Sequence, residues 1–154
     1  MELILWRHAE AEDGVPDAER ALTNKGLQQA EKMATWLKAQ LADKMHDTRI
    51  IVSPAKRTQQ TARALNQVFE TSVEVGTGTT VNRMHIMSEW PDATGTTIIV
   101  GHQPTLGEFA RILVPHAPSE YAFKKGATWW FGHEKNSQGD IKLVLRTVMY
   151  PDML

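Results

Sequence analysis

Three stretches of this sequence set basic or hydroxyl side chains directly after short apolar runs. Arg7-His8 follows Leu3-Ile4-Leu5-Trp6, Ser53-Pro54-Ala55-Lys56-Arg57 follows Ile50-Ile51-Val52, and Gly101-His102-Gln103-Pro104 follows Ile98-Ile99-Val100. Such runs read as buried strands, and the carboxyl ends of strands in an open α/β sheet share one rim, where ligands bind. Arg7, His8, Arg57 and His102 are therefore expected to converge, although long stretches of chain separate them. Arg57 falls in the first turn of the helix after its strand. Helical side chains lean toward the N-terminus, so its guanidinium reaches back over the strand end.

Two arginines and two histidines around one point suit a phosphoryl group. Guanidinium forks bind phosphate oxygens in pairs, and the helix N-termini after Ser53 and Gln103 add partial positive charge. A metal fits this set badly: fixed arginine charges repel a divalent cation, and two histidines without a neighbouring carboxylate or thiolate are an incomplete ligand set. No metal or cofactor is expected. His8 is the candidate nucleophile, because neutral imidazole attacks phosphorus and neighbouring arginines lower its pKa, keeping it neutral near physiological pH. Ser53 is the rival. Followed by proline, however, it reads as a helix N-cap, and no carboxylate-histidine relay is visible to activate it.

The positioning elements follow from periodicity. Residues 3–6 form a first strand, and residues 9–22 lack a sustained period, so they read as a loop over the site. Thr23 caps a helix over 24–43 whose inner face is Leu27, Ala30, Ala34, Leu37 and Leu41. A strand at 49–52 precedes a helix from Pro54 to about Phe69. Residues 73–75 suggest a short strand, 76–80 a loop, and 81–90 a short helix stopped by Pro91. The run 96–101 is a buried strand, and Pro104 opens a helix through Leu106, Phe109, Ile112 and Leu113. After Pro115 and Pro118, residues 127–133 and 141–148 read as an antiparallel hairpin around Asn136-Ser137-Gln138-Gly139-Asp140. This order implies a three-layer α/β/α sandwich with a mostly parallel central sheet and antiparallel edge strands.

The chain has 154 residues, the size of one domain, and a single domain over 1–154 is expected. With 17 basic and 18 acidic residues it carries no global field that would draw nucleic acid or an anionic membrane. No cysteine is present, which excludes a disulfide framework and a thiol nucleophile and suits a reducing compartment. The N-terminal apolar run lacks a basic leader and is too short for a signal core or a membrane span, so the expected location is the cytoplasm.

Four blocks together resemble the histidine phosphatase (phosphoglycerate mutase-like) superfamily, and its compact phosphohistidine phosphatase (SixA) branch in particular. They are Leu5-Trp6-Arg7-His8-Ala9-Glu10; Leu22-Thr23-Asn24-Lys25-Gly26 with Gln29-Ala30; Ser53-Pro54-Ala55-Lys56-Arg57-Thr58 with Gln60-Thr61-Ala62; and Val100-Gly101-His102-Gln103-Pro104. The resemblance implies that His8 accepts the phosphoryl group as a phosphohistidine intermediate. It implies too that Arg7, Arg57 and His102 bind the oxygens, that water is the final acceptor, and that no metal takes part. Ala9 stands where glycine is common in the motif, and it is small enough to keep the turn.

Many larger members carry a glutamate between the second arginine and the second histidine that protonates the leaving oxygen. The corresponding segment here, 71–97, offers Glu74, Glu89 and Asp92 but no matching block. An alkoxide leaves poorly without such help, whereas the P–N bond of phosphohistidine is labile, so the expected substrate is a phosphorylated histidine on a protein. The chain also lacks long insertions, consistent with an open site.

Two other readings stay open. One is a phosphomonoesterase acting on a small phosphorylated metabolite with Glu10 or Glu89 as acid, and the other is a non-catalytic module that binds phosphate or phosphoproteins. In each case inorganic phosphate or sulfate is an expected occupant. Lys56, His46, His85, His116 and His133 read as surface residues, and Glu10, Glu12 and Asp13 as a solvated acidic loop. Trp129-Trp130-Phe131 reads as strand alternation, with one ring buried and one covering an edge.

Overall fold

The structure, a computed structural model, describes residues 1–114 and 123–154. Pro115, His116 and Pro118 lie outside the described residues. Six strands form one sheet in the order β3-β2-β4-β1-β5-β6. They are β1 (Glu2–Arg7), β2 (Arg49–Val52), β3 (Glu70–Thr71), β4 (Thr96–Gly101), β5 (Thr128–Lys135) and β6 (Ile141–Met149). β4 lies between β1 and β2 and is parallel to both, so Ile98 is level with Ile4 and Ile50. β5 and β6 are antiparallel and complete one side of the sheet, while the opposite edge, β3, is parallel.

Strand periodicity assigns side chains to the two faces. Ile4, Trp6, Ile50, Val52, Ile98 and Val100 pack against α1 (Asn24–Leu41) and α2 (Lys56–Arg63). Leu3, Leu5, Ile51 and Ile99 pack against α3 (Val81–Ser88) and α4 (Thr105–Leu113). The three layers follow from strands that are apolar on both sides. Among the described residues no helix is long and apolar enough to cross a membrane.

Several local expectations are corrected. The first helix stops at Leu41, because Ala42 turns to φ 45° and leads into a short 3-10 helix, Ala42–Asp47. Met33 rather than Leu27 completes its inner face, and Leu27 is exposed. The second helix opens at Lys56, not Pro54, and ends at Arg63; Asn66, at φ 52°, then reverses the chain. Leu65 and Phe69 still reach the core from beyond the helix. Val73–Val75 is a 3-10 turn, and the short strand is Glu70–Thr71. Glu89, left-handed at φ 56°, ends α3 before Pro91 can. Ile112 faces solvent. Trp129 and Trp130 are both buried, on opposite faces, because β6 covers the outer side of β5 and takes the edge itself.

Two glycines fix the chain around the end of β1. A Cβ on Gly26 would lie 2.0 Å from the Glu10 carbonyl oxygen, so only glycine lets α1 start against the segment that follows His8. Gly126, at φ +76°, donates its amide to the His8 carbonyl (3.0 Å), and its own carbonyl accepts from Trp6 Nε1 (3.1 Å).

Candidate active site

The carboxyl ends of β1, β2 and β4 bring His8, Ser53, Arg57 and His102 together. Ladder bonds hold the strand ends level: His8 N donates to Gly101 O at 3.1 Å, and Ser53 N to Val100 O at 3.1 Å. The His8 and His102 rings lie 5.3 Å apart with their planes at 55°. Arg57, in the first turn of α2, lies between them and is almost fully buried.

Hydrogen bonds define the protonation of each ring. His8 Nδ1 lies 2.7 Å from the Ala9 carbonyl, which can only accept, so Nδ1 carries the proton and Nε2 holds the free lone pair. Arg57 Nε donates to that Nε2 at 3.3 Å. Arg57 Nη2 stands 3.3 Å from His102 Nδ1, and since guanidinium can only donate, Nδ1 accepts and Nε2–H donates to Ser53 Oγ at 2.7 Å. Ser53 is thus not the helix cap expected of it; its hydroxyl holds His102 in place. The segment Pro54-Ala55 intervenes before the helix, and Ala55 is the capping position.

Both histidines are held neutral. The His8 pKa falls to about 4, chiefly through burial, with Arg57, Arg7 and Arg20 adding repulsion against the favourable bond to Ala9. His102 falls to about 3, again chiefly through burial, with His8, Arg57 and Arg7 lowering it further and Asp17 opposing. Burial thus outweighs the arginine repulsion expected to be the cause.

Arg7 projects from the end of β1 and is half-buried. Its Nη1 donates to Phe123 O at 2.5 Å, and its Nε is buried with no hydrogen-bond partner among the described residues. An unpaired buried donor on a fixed cation is costly unless a ligand completes it. Arg57 also lowers the Arg7 pKa, after burial. An oxyanion placed here would relieve that repulsion and occupy the orphaned donor.

Asp17 is the residue that sequence reasoning missed. It sits in a short 3-10 helix, Asp17–Glu19, within the loop that follows His8. Arg57 Nη1 donates to its backbone carbonyl at 2.8 Å and Nη2 to its Oδ2 at 3.0 Å, while Arg20 Nη1 donates to Oδ1 at 3.0 Å. Those bonds, Arg20 first and then Arg57, hold its carboxyl below the usual range. Nothing in its spacing separates it from the neighbouring acids Glu10, Glu12 and Asp13.

Those acids lie elsewhere. Glu10 accepts from Thr23 Oγ1 at 3.1 Å and faces Lys25, Glu12 is exposed, and Asp13 is exposed beside Arg20. Glu89 pairs with Arg49 at 2.9 Å, at the start of β2 and hence on the rim opposite the site. Lys56 and His46 are exposed as expected, whereas His85 and His133 are half-buried: His85 bonds to Trp90 O, and His133 packs on the Trp90 ring. The polar letters of the sequence blocks anchor the loop. Thr61 Oγ1 accepts from Ala9 N, Gln29 Oε1 from Glu10 N, and Gln60 Oε1 from Leu22 N.

The arrangement provides an unprotonated imidazole nitrogen, two guanidinium groups and a second imidazole, as in-line displacement at a phosphoryl group requires. A sequence model of the histidine phosphatase superfamily (branch 1) matches residues 3–79. A Haemophilus influenzae protein described as a phosphohistidine phosphatase SixA homolog is 31% identical over 123 residues, covering 70% of this chain and 74% of that protein. The structure of the protein histidine phosphatase SixA complexed with tungstate superposes with TM-score 0.79 at 22% identity, covering 99% of each chain. A phosphoserine phosphatase from Entamoeba histolytica, solved with phosphoserine, superposes with TM-score 0.70 at 16% identity, covering 99% of this chain and 98% of that one. At these identities the two structures establish the fold, and their different substrates show that the fold alone does not select one.

Proposed function

The chain belongs to the histidine phosphatase superfamily, hydrolases that act through a histidine, and on that premise we propose that it is a cytoplasmic phosphohistidine phosphatase of the SixA type. His8 Nε2 is the nucleophile. The observation that carries this reading is the lone pair on Nε2: Ala9 O fixes the proton on the other ring nitrogen, and burial keeps the ring neutral.

In the first transfer the Nε2 lone pair forms a bond to phosphorus. The bond to the donor atom breaks, and its electron pair leaves with that atom. The His8 ring becomes cationic, and its Nδ1–H stays on Ala9 O. Arg57 turns from Nε2 to the phosphoryl oxygens, Arg7 Nε supplies the unpaired donor, and His102 borders the same oxygens with Ser53 holding its ring. In the second transfer water attacks phosphorus and the P–Nε2 pair returns to the ring. Both water hydrogens leave with inorganic phosphate.

The two acids expected for an ester substrate, Glu10 and Glu89, are poorly placed: Glu89 lies on the far rim and Glu10 is engaged by Thr23 and Lys25. Asp17, within reach, is held ionised and has no proton to give an alkoxide. These placements favour a P–N bond over an alkyl ester. A panel comparing a phosphohistidine peptide with serine, sugar and nucleotide phosphates tests the choice. The peptide should be hydrolysed with the highest kcat/KM, and preference for any alkyl phosphate would overturn the assignment.

A further inference from the structure

The Asp17 carboxylate borders the phosphoryl pocket, yet the two transfers above give it no role. It is not buried: 58% of its side chain is exposed, so solvent could serve it as well as Arg57 does. Two arginines from different segments nevertheless hold both of its oxygens, Arg57 from α2 and Arg20 from the loop. Its backbone carbonyl is a separate anchor, taken by Arg57 Nη1. When Arg57 Nη2 turns to a phosphoryl oxygen, the Nη1 bond can remain. The carboxylate is then released beside the phosphoryl group without leaving the site.

A cleft of about 300 Å³ opens beside it, walled by Ala18, Ser53, Ala55, Gly76, Gly78 and Arg83. Ala18 follows Asp17 directly, and Ser53 holds His102, so the cleft adjoins both the carboxylate and the phosphoryl pocket. The cleft offers room for an imidazole ring beside Ala18 and Ser53.

A phosphorylated imidazole can leave in two forms. If its second ring nitrogen is unprotonated, breaking the P–N bond expels imidazolate, a poor leaving group. If that nitrogen is protonated, the pair from the P–N bond converts the imidazolium into neutral imidazole and no further proton is needed. An imidazole titrates near about 6.5, so both forms coexist at neutral pH, and an anion within about 4–6 Å favours the cationic one.

We propose that Asp17, released by Arg57 when the phosphoryl group binds, accepts a hydrogen bond from the free ring N–H of the substrate's phosphoimidazolium and so selects the protonated leaving group. The inference rests on the phosphohistidine phosphatase reading. It makes the proton that an ester would demand from the enzyme one that the substrate brings with it. Among the described residues, the charged groups facing Asp17 are Arg57 from α2 and Arg20 from its own loop, the latter also beside Asp13. His8 and His102 bond to Arg57, and Arg83, paired with Glu74, lies across the cleft. His8 and His102 stay neutral at neutral pH, so among the described residues at the site no histidine supplies a basic limb near neutrality, and that limb is assigned to the substrate ring.

The test is the single-turnover rate against pH at saturating enzyme, for wild type and Asp17→Asn, with a phosphohistidine peptide and with p-nitrophenyl phosphate. The rate in the complex reports groups in the complex, whereas kcat/KM reports the free substrate. For the peptide, Asp17→Asn should move the basic limb of the single-turnover rate to lower pH by about one unit, the scale of a lost opposite charge. The kcat/KM limb should stay where it is. Asp17→Glu should restore the wild-type limb, and p-nitrophenyl phosphate, which has no such proton, should show no limb shift. A peptide limb that does not move, or moves equally for both substrates, overturns the role of Asp17 and leaves the phosphohistidine reading intact. Failure of the wild type to hydrolyse the peptide overturns both.

Discussion

Replacing Arg57 by alanine removes a side chain that touches both histidines. Its Nε faces His8 Nε2 at 3.3 Å and its Nη2 faces His102 Nδ1 at 3.3 Å, and both donors are positioned to turn onto phosphoryl oxygens. Arg57 is 4% exposed, so water screens these bonds little. Hydrogen bonds to charged groups contribute about 1.5–3 kcal/mol each, so two of them predict a loss of about 3–6 kcal/mol, or about 10²–10⁴ in rate. Ionisation of His8 does not confound this. Burial is the larger cause of its low pKa, so the ring stays neutral at neutral pH without Arg57. The assay is kcat/KM on an aryl phosphate across the neutral range, with circular dichroism to verify the fold. Arg57→Lys should recover only part of the loss, because an ammonium restores the charge without the fork. A folded Arg57→Ala variant retaining more than about a tenth of wild-type kcat/KM would refute this assignment, since one charge-assisted bond alone is worth about that much.

Ser53→Ala removes the acceptor for His102 Nε2–H and leaves a buried N–H unpaired, so kcat should fall by about tenfold while phosphoenzyme still forms. Abolished phosphoenzyme formation would instead favour serine as nucleophile. Stability should depend on acid pH through the two buried histidines. Their folded pKa values, about 4 and about 3, lie below the ordinary value of 6.5, so between these limits the unfolded chain binds more protons. Their contribution is complete above pH 6.5 and is lost as pH falls toward 4 and 3. Thermal melts should show Tm dropping over that window and a shallower drop in His102→Asn. An unchanged slope in the variant would argue against buried neutral His102.

The central strands and the convergence of His8, Arg57 and His102 were legible because short, doubly buried strands leave little choice of face or rim. Gln29, Gln60 and Thr61 stood in the sequence blocks without a stated task, and their acceptors turn out to pin the loop after His8. Asp17 was not legible. Its position depends on a 3-10 turn in an aperiodic segment, and on Arg57 being long enough to reach it. Ser53-Pro54 misled because local propensity favours an N-cap, while the tertiary contact to His102 prevails. The pair Trp129 and Trp130 misled in the same way. Alternation predicted the opposite faces, but only the pairing of β6 outside β5 determines that neither ring lies at an edge.

Trapping the phosphoenzyme tests the role of His8 most directly. Wild-type enzyme mixed with phosphorylated substrate and quenched in alkali should yield one phosphoryl group that is stable to base, labile to acid and mapped to His8 by peptide mass spectrometry. His8→Ala should yield none. A phosphoryl group stable to acid, one mapped to Ser53, or full turnover by folded His8→Ala would contradict the covalent role of His8.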